Sequence, residues 1–145
     1  MTEAGGDKPT ARVGDYLRAE HAQVRALAQQ IGAAQDVAAL RPILSEYRRM
    51  LEHHFSAEEA RDGLYDAVMA EAPERAHELG MLRAQHAELL EKIARLQELI
   101  ERYENAPADA VLDHARGLAA QLQKHESAES DLLLEVFNTD LGTGN

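Results

Sequence analysis

His54-Phe55-Ser56-Ala57-Glu58 and His125-Glu126-Ser127-Ala128-Glu129 are two versions of one phrase, H-x-S-A-E, set in the two halves of the chain. Each follows a stretch with one well-placed histidine, His21 in the first half and His86 in the second. The order is therefore His, then His-x-x-x-Glu, twice over. Residues four apart share one face of an α-helix, so each phrase offers an imidazole and a carboxylate to the same point in space. Four histidines and two carboxylates converging in a helical bundle form the donor set that a two-metal site needs.

Working outward from the two phrases, chain breakers mark off four long helical segments. Residues 1–12 read as a flexible tail. A first helix is expected from about Val13 to Ala34. Asp36 to Pro42 punctuate, with Pro42 suited to a first helical turn. A second helix follows to about Ala70, and Ala72-Pro73 breaks it. The third runs to about Tyr103, Asn105-Ala106-Pro107 breaks again, and the fourth ends near Phe137. Residues 138–145 read as a turn-like tail. Gly63 and Gly80 fall inside helical stretches and weaken them locally.

Each helix carries an apolar seam with alternating spacings of three and four. The first is Val13, Leu17, His21, Val24, Ala28, Ile31. The second is Leu44, Tyr47, Leu51, His54, Glu58, Arg61, Tyr65, Val68. The third is Leu79, Leu82, His86, Leu89, Ile93, Leu96, Ile100. The fourth is Val111, Ala115, Leu118, Leu122, His125, Glu129, Leu132, Val136. No segment alternates with period two, so strands are not supported. Four such helices with short connections predict an all-α, antiparallel up-down-up-down four-helix bundle over residues 13–137.

The polar intruders in these seams are His21, His54, Glu58, Arg61, His86, His125 and Glu129. An ionised carboxylate buried without a partner costs several kcal/mol, and two facing one core demand compensation. For any single histidine the plainer reading is a core residue with a hydrogen-bond partner. Depth along the bundle argues otherwise. In an antiparallel hairpin, two residues are level when the turn lies midway between them. The point midway between His21 and His54 falls inside the Asp36–Pro42 break. That between His54 and His86 falls at residue 70, next to Ala72-Pro73, and that between His86 and His125 falls at Asn105-Ala106-Pro107. All four histidines are thereby placed in one layer. His53, His77 and His114 fail the same test and read as surface or second-layer residues; His114 is three turns from His125, some ~16 Å along the axis. Arg61, one turn past Glu58, has two readings: an anchor for a carboxylate ligand, or a side chain whose stem packs and whose head reaches solvent.

Composition narrows the partners. The chain has 145 residues, no Cys and no Trp, and a formal net charge of −11. One domain of this length can bury a core of its own. The acidic balance argues against nucleic acid as a partner, since that requires a basic surface. No apolar run is long enough to cross a bilayer, and Met1 to Arg12 lack the apolar core of a secretory signal, so a cytoplasmic location is expected. Without cysteine there are no disulfides and no thiolate ligands. No nucleotide loop or nucleophile triad is present, so any chemistry must come from bound metal.

The constellation resembles the hemerythrin-like family, the hemerythrin HHE cation-binding domain, over about Val13 to Phe137. The most specific piece is His54-Phe55-Ser56-Ala57-Glu58-Glu59, which matches the family's H-F-x-x-E-E. The Gln85-His86-Ala87-Glu88-Leu89-Leu90 context and the His125 H-x-x-x-E follow in the family's order. The resemblance implies a four-helix bundle around a non-haem di-iron centre, two iron ions with an oxo or hydroxo bridge. It implies one iron on His21 and His54, the other on His86 and His125, and Glu58 and Glu129 bridging them. Imidazole and carboxylate together suit iron.

The chain departs from the oxygen-carrying members in two ways. Their additional third-helix histidine, four residues before His86, is Leu82 here, and their last bridging residue is an Asp five residues after the histidine, where this chain has Glu129 at a spacing of four. One iron therefore lacks a ligand, to be replaced by water or by a side chain such as Glu59 or Tyr65. Additional open positions favour reactions with dioxygen, peroxide or nitric oxide over reversible carriage. The expected function is the binding of such small oxidants for sensing, storage or buffering. The alternatives are an enzyme that turns over peroxide or nitric oxide, and a metal-free or zinc-loaded structural bundle. A sensor of this kind signals through a separate redox or signalling protein.

Overall fold

The computed structural model describes the backbone of residues 9–102 and 108–142, and the side chains of residues 19, 21–102 and 108–137. Among these residues the protein is all-helical, with no strand. Helix α1 spans Pro9–Ala33, α2 Val37–Glu59, α3 Leu64–Glu71, α4 Ala76–Arg102 and α5 Ala108–Gly142, with a 3-10 turn at Pro73–Arg75 ahead of α4. α1 packs on α2 and α5, and α4 packs on α2 and α5, so the four long helices close around a common core as a helical bundle.

Local chemistry sets the helix ends. Asp36 caps α2, its carboxylate accepting from the Ala39 N–H at 2.7 Å, which satisfies one of the unpaired donors of the first turn. Because α2 starts at Val37, Pro42 lies inside the helix and not in its first turn. α4 opens with Glu78 and closes with Arg102, charges that suit the two ends of the helix dipole. Two ends differ from the sequence expectation. α1 already includes residues 9–12, and α5 continues through residues 138–142. The remainder of the two expected tails (1–8 and 143–145) lies outside the described residues, as does the expected break at Asn105-Ala106-Pro107.

The expected second helix to Ala70 is two helices. α2 stops at Glu59, Ala60 is extended, and Asp62 has φ 63°, the one left-handed non-glycine among the described residues. Gly63 then starts α3. A Cβ there would lie 2.4 Å from the Ala57 carbonyl oxygen and 2.8 Å from that of Ala60, so only glycine fits this corner. The Asp62 N–H is held by the Asp66 carboxylate at 2.9 Å. Arg61 sits on the corner, exposed. Of its two readings, this exposure agrees with a side chain whose head reaches solvent.

The seams otherwise pack as their spacing predicts. Every α4 seam residue from Leu79 to Ile100 is buried, and so is every α5 seam residue from Val111 to Val136. Val13 and Leu17 lie outside the described side chains. The apolar core falls into two packs. The larger joins Ile31, Leu44, Leu51, Phe55, Ile93 and Leu122 with their neighbours. The smaller joins Leu64, Tyr65, Val68, Leu82, Leu132 and Phe137 with theirs. Along α4 the order is Leu82, His86, Leu89; along α5 it is Leu122, His125, Glu129, Leu132. A buried polar layer thus separates the packs, made of His21, His54, Glu58, His86, His125, Glu126 and Glu129.

Candidate metal centre

The four long helices deliver one histidine each to this layer. His21 comes from α1, His54 from α2, His86 from α4 and His125 from α5, and none is more than 8% exposed. The imidazoles of His21 and His54 are 5.8 Å apart, centre to centre, and those of His86 and His125 4.8 Å. Glu58 and Glu129, one turn beyond His54 and His125, are buried to within 1% of complete enclosure. His53, His77 and His114 are exposed.

The donors form two groups able to hold a metal ion. One comprises His21, His54, Glu58, Glu126 and Glu129; the other comprises Glu58, His86, His125 and Glu129. Within each, one donor atom per residue lies within 4.8 Å of every other. The groups share Glu58 and Glu129 and nothing else. The His54 Nε2 is 3.1 Å from Glu58 and 3.2 Å from Glu126; the His21 Nε2 is 2.9 Å from Glu126 and 3.3 Å from Glu129; the His86 Nε2 is 3.2 Å from Glu58. Yet both Glu58 oxygens, both Glu126 oxygens and the His125 Nε2 are buried without a hydrogen bond of regular geometry. Buried polar atoms that crowd together but do not pair are rare in folded proteins. Nitrogen and carboxylate oxygen donors aimed at common points fit hard or borderline cations.

The outer nitrogens of three imidazoles are held in place. His86 Nδ1 donates to Glu59 at 2.6 Å, His125 Nδ1 donates to the Gln85 amide oxygen at 2.7 Å, and His21 Nδ1 meets the Ser130 hydroxyl at 2.9 Å. For His86 and His125 the acceptor oxygen keeps a proton on Nδ1 and leaves Nε2 as the inward-facing donor atom for a metal, as metal-binding histidines require. Phe55 orients His86 as well: the rings stack 3.9 Å apart at 10°. Glu59, expected as a stand-in ligand, thus supports His86 from its outer side. Tyr65, the other expected stand-in, enters the layer. Its hydroxyl lies 3.0 Å from the His86 Nε2 and donates to Glu129 at 2.8 Å. Leu82 is buried in the smaller apolar pack.

The electrostatics of the metal-free layer follow from crowding. Burial disfavours charge on His21, His54 and His86, but adjacent carboxylates outweigh it and push their pKa values up to about 9, 11 and 9. Burial, together with Glu129 beside it, raises Glu58 to about 7. Burial opposes charge on Glu129 too, but contacts with Glu58, His21 and His86 hold it well below the ordinary carboxylate range. Glu126 is held low in the same way by His21 and His54. Burial lowers the pKa of His125. Burial and then Glu129 drive the Tyr65 pKa far up, so the phenol keeps its proton. An array in which carboxylates borrow protons from one another and from imidazoles is one that cations stabilise by replacing those protons.

Glu126 is the residue that sequence reasoning missed. It is 7% exposed, although it stands beside His125 and off the chosen seam. A signal was present. Leu112, Ala119, Glu126 and Leu133 are spaced by seven and all are buried, so α5 turns a second stripe inward beside the first.

Among known proteins, the family model described as the hemerythrin HHE cation binding domain matches residues 13–137. Comparison with curated proteins gives no match, and comparison with solved structures gives none.

Proposed function

The chain belongs to the hemerythrin HHE cation-binding domain family, and from that premise we propose that it is a non-haem di-iron protein that binds dioxygen, peroxide or nitric oxide for sensing, storage or buffering. The observation that carries this reading is the pair of donor groups that share only Glu58 and Glu129. His21 and His54 would hold one iron, His86 and His125 the other, and the two shared carboxylates would bridge. An antiparallel up-down-up-down course of the helices goes with this reading, because it is what makes the four histidines level. No helix among the described residues is long and apolar enough to cross a membrane; the cytoplasm is the location we propose.

When bound, an iron pair supplies redox capacity and positions where a small oxidant can coordinate. The protein's own residues do the rest. Glu59 and Gln85 fix His86 and His125 in the tautomer that presents Nε2 inward, and Ser130 orients His21. The two apolar packs keep bulk water from the layer above and below. Tyr65 holds a proton beside His86 and Glu129, within the second half-site. That hydroxyl is the specific observation that favours the second reading, turnover of peroxide or nitric oxide, since a hydrogen-bond donor fixed beside the site would stabilise charge that develops on a reacting oxidant.

Metal analysis with an optical spectrum, on protein purified after iron-replete expression, tests the proposal. Two irons per chain and the near-ultraviolet absorption of a coupled ferric pair are expected. A zinc-loaded or metal-free protein that takes up no iron on reconstitution would sink it. Sustained oxygen evolution from peroxide would move the assignment from binder to enzyme.

A further inference from the structure

Glu126 has no place in the repeated His-x-x-x-Glu pattern, yet it occupies the layer. We propose, on the di-metal reading above, that Glu126 is a terminal ligand of the first cation. That half-site then owns two histidines and one carboxylate, and the second owns two histidines beside Tyr65, so the two positions are chemically unequal.

Glu126 belongs to one donor group with His21, His54, Glu58 and Glu129, in which one donor atom per residue lies within 4.8 Å of every other. Its carboxylate lies 2.9 Å from the His21 Nε2 and 3.2 Å from the His54 Nε2. Its side chain is 9% exposed, and both oxygens are buried without a hydrogen bond of regular geometry. A buried carboxylate crowded against two imidazole nitrogens without pairing regularly to either is placed as a ligand of a shared cation would be. Charge points the same way. Two divalent cations bring four positive charges, and the bridging pair Glu58 and Glu129 offsets two of them. A third carboxylate in a low-dielectric layer brings the site closer to neutrality, which lowers the cost of burying it.

A way in for the cation exists at the same place. A solvent-open cleft between α1 and α5 is lined by His21, Val24, Glu126, Ser127 and Ser130. The carboxylate therefore sits where a small external carboxylate can reach if the side chain is cut back.

The test uses the full chain and cobalt(II) as the probe, titrated anaerobically against a competing chelator and followed by its visible bands. The wild-type protein is expected to take up two cobalt ions. Glu126→Gln, which keeps the shape and loses the charge, is expected to bind one ion as before and the other at least about tenfold more weakly; even a residue that merely supports a ligand is worth that much. Glu126→Ala should show the same loss, and added acetate should restore the second ion. Two ions bound with wild-type affinity by both variants would overturn the proposal, as would equal weakening of both ions. Loss in Glu126→Ala without recovery in acetate would also overturn it, because a packing role is not replaced by a free carboxylate. Circular dichroism of the metal-free variants checks that they fold. Glu126→Asp, which keeps the charge but shortens its reach, should weaken the same single ion and serves if Glu126→Gln is unfolded. Failure of the wild-type chain to bind two ions would instead sink the di-metal reading itself.

Discussion

The Tyr65 hydroxyl donates to the Glu129 carboxylate over 2.8 Å, joining a short helix to a residue 64 positions further along the chain. The bond exists because the corner at Ala60–Gly63 resets the course of the helix. It puts a phenol next to a carboxylate that is already in contact with three histidines, His21, His86 and His125. Tyr65 therefore ties α3 to the metal layer as well as to the smaller apolar pack.

Replacing Tyr65 by Phe should test that tie. The ring and its packing remain, and a buried hydrogen bond to a charged group is lost. Such bonds contribute about 1.5–3 kcal/mol. Urea unfolding of the metal-free protein should show a loss of that order, while metal content stays at the wild-type value. A Tyr65→Phe protein that lost one ion would show that the phenol is a ligand and not a proton-bearing neighbour.

The shared carboxylates should behave unlike every other acidic residue of the layer. Glu58→Ala or Glu129→Ala is expected to weaken both cations together, since each residue belongs to both donor groups. His53→Ala, His77→Ala and His114→Ala should leave metal content unchanged, because these histidines are exposed. Elemental analysis after dialysis reads both results. Metal loss from His77→Ala equal to that from Glu58→Ala would contradict the assignment.

Gly63 has no tolerance for a side chain. The Ala57 carbonyl oxygen, 2.4 Å from where a Cβ would sit, is backbone and cannot rotate away. Gly63→Ala should destabilise the fold by about 1–3 kcal/mol, the usual cost of forcing extra atoms into a packed site. It should also displace Tyr65. Chemical denaturation measures the first effect, and Tyr65 fluorescence or ultraviolet difference spectra follow the second. A variant as stable as wild type would mean that the corner is not closed as described.

Stability should depend on pH with opposite slopes in the two metal states. His21, His54 and His86 are raised in the metal-free fold to about 9, 11 and 9. Their stabilisation is complete below the ordinary histidine value of about 6.5 and is lost as pH rises through the folded values. Glu58, raised to about 7, likewise favours the fold as it takes up a proton on acidification. The metal-free protein should thus gain stability as pH falls from about 9 to about 6.5. Below that, His125, whose pKa is lowered, opposes the gain, and Glu126 and Glu129 oppose it further once pH falls below the ordinary carboxylate value. The metal-loaded protein should lose stability over the same fall, as protons compete for its histidines. Melting curves with and without a strong chelator, taken between about pH 5 and pH 8, decide it. Coincident curves would rule out a buried metal site.

Much of this architecture is legible in the sequence because its determinants are local and periodic. Seam phase placed His21, His54, His86 and His125 inward, an inference that requires only helix geometry, and all four are buried. Their common depth was argued from an antiparallel course and three turns, of which the one at Asn105-Ala106-Pro107 lies outside the described residues. Two features escaped. Glu126 was passed over because one seam was drawn through α5, whereas a helix packed against both α1 and α4 buries a wider arc than one row. The corner at Ala60–Gly63 escaped because its cause is tertiary. Ala60, Arg61 and Asp62 carry no strong breaker, and a lone Gly63 in a helical run is a weak stop. What fixes the break is Leu64, Tyr65 and Val68 turning to meet Leu132 and Leu82, a contact between distant parts of the chain.

The polar layer between the two apolar packs has a mechanical consequence. A continuous core melts as a unit, but a core cut by a plane of charged groups has a built-in fault. Cations across the layer would rivet the two packs together through residues from all four long helices. Without them, α3 and the start of α4 are held by the smaller pack and by the contacts of Tyr65 with Glu129 and His86, and that end of the molecule is set to open first. Amide hydrogens in α3 and α4's first turns would then exchange by local opening well below the global unfolding free energy, so the extent of cooperative unfolding becomes a measure of how many cations the chain holds.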